Sequence, residues 1–194
     1  MLKDELGRLN CLQQSKRKFQ DLYDIIVGTE PEKVAAMWID DEGRECKRSF
    51  HQFDEDIRAA ASLFRRRIGE EKEGSFVALM MGNCYHWSVA FWGLLMAGYK
   101  PVLFDVNLLA PMVKRLLSAS GAVAMVGSVE SRIPVPQITS AEIADVRPDL
   151  SFVPRFADEL ALCTSGTTNA SKVYVFGEEA IIGQAIGVIP KITE

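Results

Sequence analysis

Nine consecutive residues, Thr164-Ser165-Gly166-Thr167-Thr168-Asn169-Ala170-Ser171-Lys172, gather the groups that hold phosphate. Hydroxyls donate hydrogen bonds, backbone N–H groups on a Gly-containing turn form an anion-binding concavity, and a terminal lysine adds a point charge. The run leaves an apolar segment, Leu160-Ala161-Leu162-Cys163, which reads as the strand that would hold such a loop in place. It is not a Walker A loop: Gly166 is followed by five residues before Lys172, there is no second Gly, and Val173 rather than Ser or Thr follows the lysine. The same nine residues also suit a Ser/Thr-rich turn that binds nothing, so the surrounding sequence has to decide.

Other reactive side chains offer little. His51 and His86 are the only histidines, and neither stands at a spacing that suggests a catalytic triad. His86 is expected in the first turn of a helix, in a structural role. Cys11, Cys46, Cys84 and Cys163 are far apart and form no CxxC pair, which favours reduced structural thiols over a metal site or a disulfide framework. Trp87, Phe91 and Trp92 have the spacing of a buried helix face and are expected in the core.

Composition sets the outer bounds. A net charge of −4 argues against a nucleic-acid binder that works by neutralising phosphates. With 194 residues and 48% hydrophobic content, the chain can build one sizeable core. The longest apolar run, Val89 to Ala97, falls well short of a transmembrane span, and Met1-Leu2-Lys3-Asp4-Glu5 is too charged for a signal peptide. A cytoplasmic protein is expected. Lys16-Arg17-Lys18 beside Leu9, Leu12 and Phe19 could form a weak membrane-surface helix, but such helices more often dock on their own domain.

The elements that must position the nine-residue run alternate along the chain. A helix around Ser15 to Val27, with Phe19, Leu22, Tyr23 and Ile26 on one face, precedes a hairpin of Ala35–Asp40 and Glu45–Phe50 turned at Asp41-Glu42-Gly43. Ser49 and Gln52 form a capping box for a helix whose apolar face is Phe53, Ile57, Ala60, Phe64 and Ile68. Gly74 to Met81 reads as a buried strand, Cys84 to Ala97 as a helix ending at Gly98, and Lys100 to Asp105 as the next strand. Pro111 to Ser120 is then a helix and Ala122 to Val126 a strand. Residues 129–156 carry Pro134, Pro136, Pro148 and Pro154 and read as a mostly irregular connection with one short edge strand; 157–176 hold a strand and the candidate loop. The expected fold class is α/β, a mainly parallel sheet with crossover helices and a small N-terminal β-hairpin, in a single partial domain over 1–194.

These residues resemble the AMP-forming adenylating superfamily of acyl-CoA synthetases, luciferases and peptide-synthetase adenylation domains. The phosphate loop of that family usually reads Thr-Ser-Gly-Ser/Thr-Thr-Gly-x-Pro-Lys, and six positions agree: Thr164, Ser165, Gly166, Thr167, Thr168 and Lys172. Asn169 stands where the family has Gly, a substitution that tolerates positive φ, and Ser171 replaces a rigid Pro. Arg48-Ser49-Phe50-His51-Gln52-Phe53 stands in place of a Thr-Tyr-x-Glu-Leu-like helix start. The passage from Ala90 to Val102 is similar to the family's Ala-x-Leu-Ala-x-x-x-Ala-Gly-x-x-x-Val. The resemblance extends over residues 30–190.

It implies a phosphate-binding role for Thr164, Ser165, Gly166, Thr167, Thr168 and Lys172, with ATP, Mg2+ and coenzyme A as cofactors of the complete enzyme and a carboxylic acid as its substrate. It further implies that this chain is the N-terminal subdomain of such an enzyme, an expressed piece or a natural truncation. The family's aromatic-Gly-x-Thr-Glu motif, ribose-binding Asp, hinge and late catalytic lysine are not found within the 194 residues; Thr193-Glu194 follows Pro190-Lys191-Ile192 and is not that motif. The chain by itself is therefore expected not to adenylate, and an incomplete sheet could expose an edge for self-association. A non-catalytic nucleotide-binding or interaction module, or the front of an adenylation domain that loads a carrier protein, are the alternatives.

Overall fold

The computed structural model describes residues 18–28, 30–40, 42–127, 132–147, 149, 151–164 and 172–184. Cys11, Lys16 and Arg17, and Ser165 to Ser171 of the candidate loop, lie outside the described residues.

Helix α1 (Phe19–Val27) buries Phe19 and Tyr23, one turn apart, and so docks on its own domain. The hairpin of β1 (Val34–Ile39) and β2 (Glu45–Ser49) is antiparallel. Its turn is closed by the Asp40 carboxylate, which accepts from the N–H groups of Glu42 and Arg44 at 3.0 and 2.8 Å. Ser49 then caps α2 (Phe50–Ile68): its hydroxyl accepts from Gln52 N–H, and its own N–H donates to Gln52 Oε1 at 3.0 Å. All five residues of the expected apolar face of α2 are buried. The hairpin is fastened at the start of α3 (Tyr85–Met96), where Trp38 and Tyr85 stack with ring centroids 4.6 Å apart.

The main sheet has six strands in the order β6-β5-β3-β4-β7-β8. They are β3 (Phe76–Met80), β4 (Lys100–Leu103), β5 (Ala124–Gly127), β6 (Gln137–Ile138), β7 (Glu159–Thr164) and β8 (Lys172–Gly177). Every pairing is parallel except β7 with β8. Side chains of a strand alternate between faces, and the core follows that alternation. Val77, Leu79, Ala124 and Val126 pack with α2 and α3 on one face. Ala78, Met80, Val102 and Met125 pack on the other with Val113, Leu116 and Leu117 of α4 (Ala110–Ser120). A sheet buried on both faces explains why its central strands are continuously apolar. α3 links β3 to β4 on one side, and α4 carries the chain back across to β5 on the other.

Two features differ from the sequence expectation. The connection before β7 holds a short helix, α5 (Ser140–Ala144), capped by Thr139 with Glu142 in the third position. Residues 178–184 are also helical, with Ile182 buried against Phe19, Leu95 and Leu160.

Candidate functional site

The pairings Met80 with Gly127, Leu103 with Leu162 and Thr164 with Lys172 put the carboxyl ends of β3, β5, β4 and β7 along one edge of the sheet. Open α/β sheets bind ligands outside that edge, where successive connections leave for opposite faces. Here the connection after β3 leads to α3 on one face, and that after β4 leads to α4 on the other. Asp105 shapes the second: its Oδ1 accepts from the Asn107 backbone N–H at 2.9 Å and from Asn107 Nδ2 at 3.0 Å.

β7 ends and β8 begins at this same edge, and residues 165–171 connect them in the sequence. The first and last candidate ligands, Thr164 and Lys172, are directly opposed antiparallel partners, the end of six consecutive pairs that begin at Glu159 and Gly177. Lys172 is exposed. Thus the structure brings together the two ends of the candidate site. Ser165, Gly166, Thr167 and Thr168 lie outside the described residues.

Cys163, the residue before Thr164, is half-buried, and burial pushes its thiol up to about 11. It therefore stays protonated at neutral pH and acts as a small apolar group rather than a nucleophile. Cys46, Cys84 and Cys163 are all free thiols. His86 lies in the first turn of α3, where burial lowers its pKa, Asp56 opposes that shift and Arg48 adds to it, which makes it a neutral structural ring. Trp87 and Phe91 stack at 5.4 Å, and Phe91 meets Trp92 edge-on; all three pack against the core but stay half-buried, less deep than the fully buried face their spacing predicts.

Two cavities lie away from this edge. One, about 400 Å³, is bordered by Glu73, Gly74, Lys100, Asp158 and Glu178, residues that precede β3, start β4, precede β7 and follow β8. Lys100 on its lining is already paired, with Nζ 2.7 Å from Glu159 and 3.8 Å from Asp158. The other, about 330 Å³, lies by the last turn of α2 between Ser62, Arg66, Asp149 and Phe152. Among the described residues, no three His, Cys, Asp or Glu side chains converge as a metal site. No helix among them is long and apolar enough to cross a membrane.

The sequence profile described as AMP-binding enzyme matches residues 25–172, from α1 to the lysine that closes the candidate loop. The chain belongs to the AMP-binding enzyme family. It thus has the α/β fold of an N-terminal portion of the adenylate-forming enzymes, with a mainly parallel sheet and a small antiparallel hairpin. None of the curated proteins matches the sequence. Among solved structures, the chain is similar to the N-terminal subdomain of NpsA from Klebsiella oxytoca, with a TM-score of 0.68 and 21% identity over 85% of this chain and 43% of that one. It is also similar to the nonribosomal peptide synthetase FmoA3 in its AMPPNP-bound form, with a TM-score of 0.70 and 15% identity over 91% of this chain and 19% of that one. A third is a fatty acyl-adenylate ligase from L. pneumophila, in complex with acyl adenylate and pyrophosphate, with a TM-score of 0.64 and 17% identity over 85% and 31% of the respective chains. The chain therefore spans less than half the length of each of these.

The sequence reading missed that β8 runs antiparallel beside β7. The signal was present in Val173-Tyr174-Val175-Phe176, a run of β-branched and aromatic residues immediately after the loop.

Proposed function

We propose that this chain supplies the phosphate-binding part of an AMP-forming acid–thiol ligase, with Thr164, Ser165, Gly166, Thr167, Thr168 and Lys172 contacting the β- and γ-phosphates of ATP. The observation that carries the reading is the Thr164–Lys172 pair, which closes a hydroxyl-rich seven-residue loop at the carboxyl edge of a sheet with this family's fold. In the reaction, a carboxylate oxygen attacks the α-phosphorus of ATP, the bond to the bridging oxygen breaks, and pyrophosphate leaves. Negative charge builds on the departing phosphates, and preorganised N–H groups, hydroxyls and the Lys172 ammonium stabilise it as it forms. Mg2+ would accompany the nucleotide as its counter-ion. A thiol then attacks the acyl carbonyl and AMP departs, leaving a thioester.

Coenzyme A is the proposed acceptor, which makes the complete protein an acyl- or aryl-CoA synthetase, with fatty acids one candidate substrate class. A carrier-protein thiol is the second reading, favoured by the likeness to NpsA–ThdA, an artificially fused adenylation–PCP di-domain. The 194 residues are a single partial domain in this reading and do not turn over alone; a non-catalytic nucleotide-binding module is the competing class. ATP–pyrophosphate exchange over a panel of aliphatic and aromatic acids separates these readings. Acid-dependent exchange by the complete protein, and none by the 194-residue chain, is the expected result. Exchange by the short chain would overturn the claim that it is incomplete, and none by the complete protein with any acid would overturn the ligase reading. Thioester formation with coenzyme A or with a carrier protein then identifies the acceptor.

A further inference from the structure

We infer that Val173 is a positioning residue: packed beside α4, it sets the register of β8 and with it the face of the sheet from which Lys172 emerges. The inference rests on the phosphate-loop reading and names the side chain that holds its lysine in place.

Only two residues of β8, Val173 and Phe176, are even half-buried. They stand three apart and so point to opposite faces. Val173 and its cross-strand partner Cys163 pack into the cluster that contains Val113, Leu116 and Leu117 of α4. Phe176 and its partner Leu160 pack on the other face with Phe19, Leu95 and Ile182. The strand is thus held from both sides. A slip of one residue would carry both anchors to the wrong face and swing Lys172 toward α4. Lys172, Tyr174 and Val175 are exposed and do little to resist that slip. Nearest the loop, the restraint falls on Val173, whose β-branched side chain is also stiff at χ1.

The test is calorimetric titration of the 194-residue chain with inorganic tripolyphosphate, well below the melting temperature of each variant. The parent chain is expected to bind, and Lys172→Ala to weaken binding. Val173→Ala should weaken it roughly threefold to tenfold, while Val173→Ile, which keeps the packed branch, and Val175→Ala, on the same face but exposed, should stay within about twofold. If Lys172→Ala weakens binding and Val173→Ala lowers only the melting temperature, Val173 is structural and the inference fails alone. If the parent does not bind, or Lys172→Ala binds as the parent does, the phosphate-loop reading fails and takes the inference with it.

Discussion

Thr164 and Lys172 face each other as antiparallel partners at the last rung between β7 and β8, so the seven residues between them must return the chain within one strand spacing. The proposed phosphate ligands at the two ends of the run are thereby held side by side on neighbouring strands. The lysine is exposed. Lys172→Ala is therefore expected to leave the fold stable within about 0.5 kcal/mol. It should lower kcat/KM for ATP in the adenylating form by roughly tenfold to hundredfold, the loss of one charged hydrogen-bond donor. Pyrophosphate exchange with varied ATP, beside a denaturation curve, measures both. Equal activity in variant and parent would remove Lys172 from the mechanism.

An aromatic stack ties the hairpin to α3. Trp38 lies flat on Tyr85, 6° from parallel, and Arg48 sits 5.9 and 6.0 Å from the two ring centroids. The Tyr85 hydroxyl donates to Asp56 at 2.6 Å, and Arg48 Nε donates to the same oxygen at 3.2 Å. Trp38→Ala should destabilise the chain by about 2 kcal/mol, below the full cost of a core tryptophan because the ring is only half-buried. Arg48→Ala should cost about 1 kcal/mol or less, since the ion pair is partly exposed. Urea unfolding gives both values, and an unchanged midpoint for Trp38→Ala would show that the stack does not hold the hairpin.

Much of this architecture was legible in the residues because local rules and burial agree. Ser49 and Gln52 announce the start of α2, Gly98 with its φ of 86° ends the turn after α3, and the unbroken apolar runs of β3 and β5 fit a sheet covered on both faces. β8 was harder to read because three of its five residues after Lys172, namely Tyr174, Val175 and Gly177, stay exposed and the strand shows no clean alternation. Helix α5 is too short for a periodic signal and reveals itself only through the Thr139–Glu142 cap. At the site, hydroxyls, glycine and lysine were readable as phosphate-binding chemistry. That Val173 and Phe176 grip the strand from opposite faces depends on where α4 and α1 pack, which no local window contains.

Alkaline pH should unfold this protein through its tyrosines. Burial, followed by a hydrogen bond to a carboxylate, raises the pKa of Tyr23 and of Tyr85, with Asp54 and Asp56 as the respective partners. Burial pushes Tyr99 up to about 12. Above pH ~10 the unfolded chain releases these protons while the folded chain keeps them, so the folded state binds more protons and stability falls as pH rises. The contribution is fully present below the unfolded tyrosine value and is lost progressively above it. Each tyrosine adds a slope of up to about 1.4 kcal/mol per pH unit in that window. Melting temperatures measured from about pH 8 to about pH 11, a range that brackets the free tyrosine pKa of ~10, should drop in the parent and drop less steeply in Tyr85→Phe. Parallel curves would show that Tyr85 ionises as freely in the folded state as in the unfolded one.

Gly127 closes β5 at the same edge as the candidate loop, and two facts make it irreplaceable. Its φ is 121°, a conformation that side-chain-bearing residues rarely adopt, and an added Cβ would lie 2.0 Å from the carbonyl oxygen of Met80 on the neighbouring strand. Backbone atoms cannot yield as the end of a flexible side chain does, so relief would require β3 and β5 to part where they pair through Met80 and Gly127. Gly127→Ala is expected to destabilise the chain by about 3 kcal/mol or more, combining backbone strain with overpacking. Gly43, also at positive φ but with nothing within 4 Å of an added Cβ, is the control: Gly43→Ala should cost about 1 kcal/mol, the conformational penalty alone. Urea midpoints for the two variants decide the matter. Equal losses would mean that conformation rather than the contact with Met80 makes Gly127 necessary.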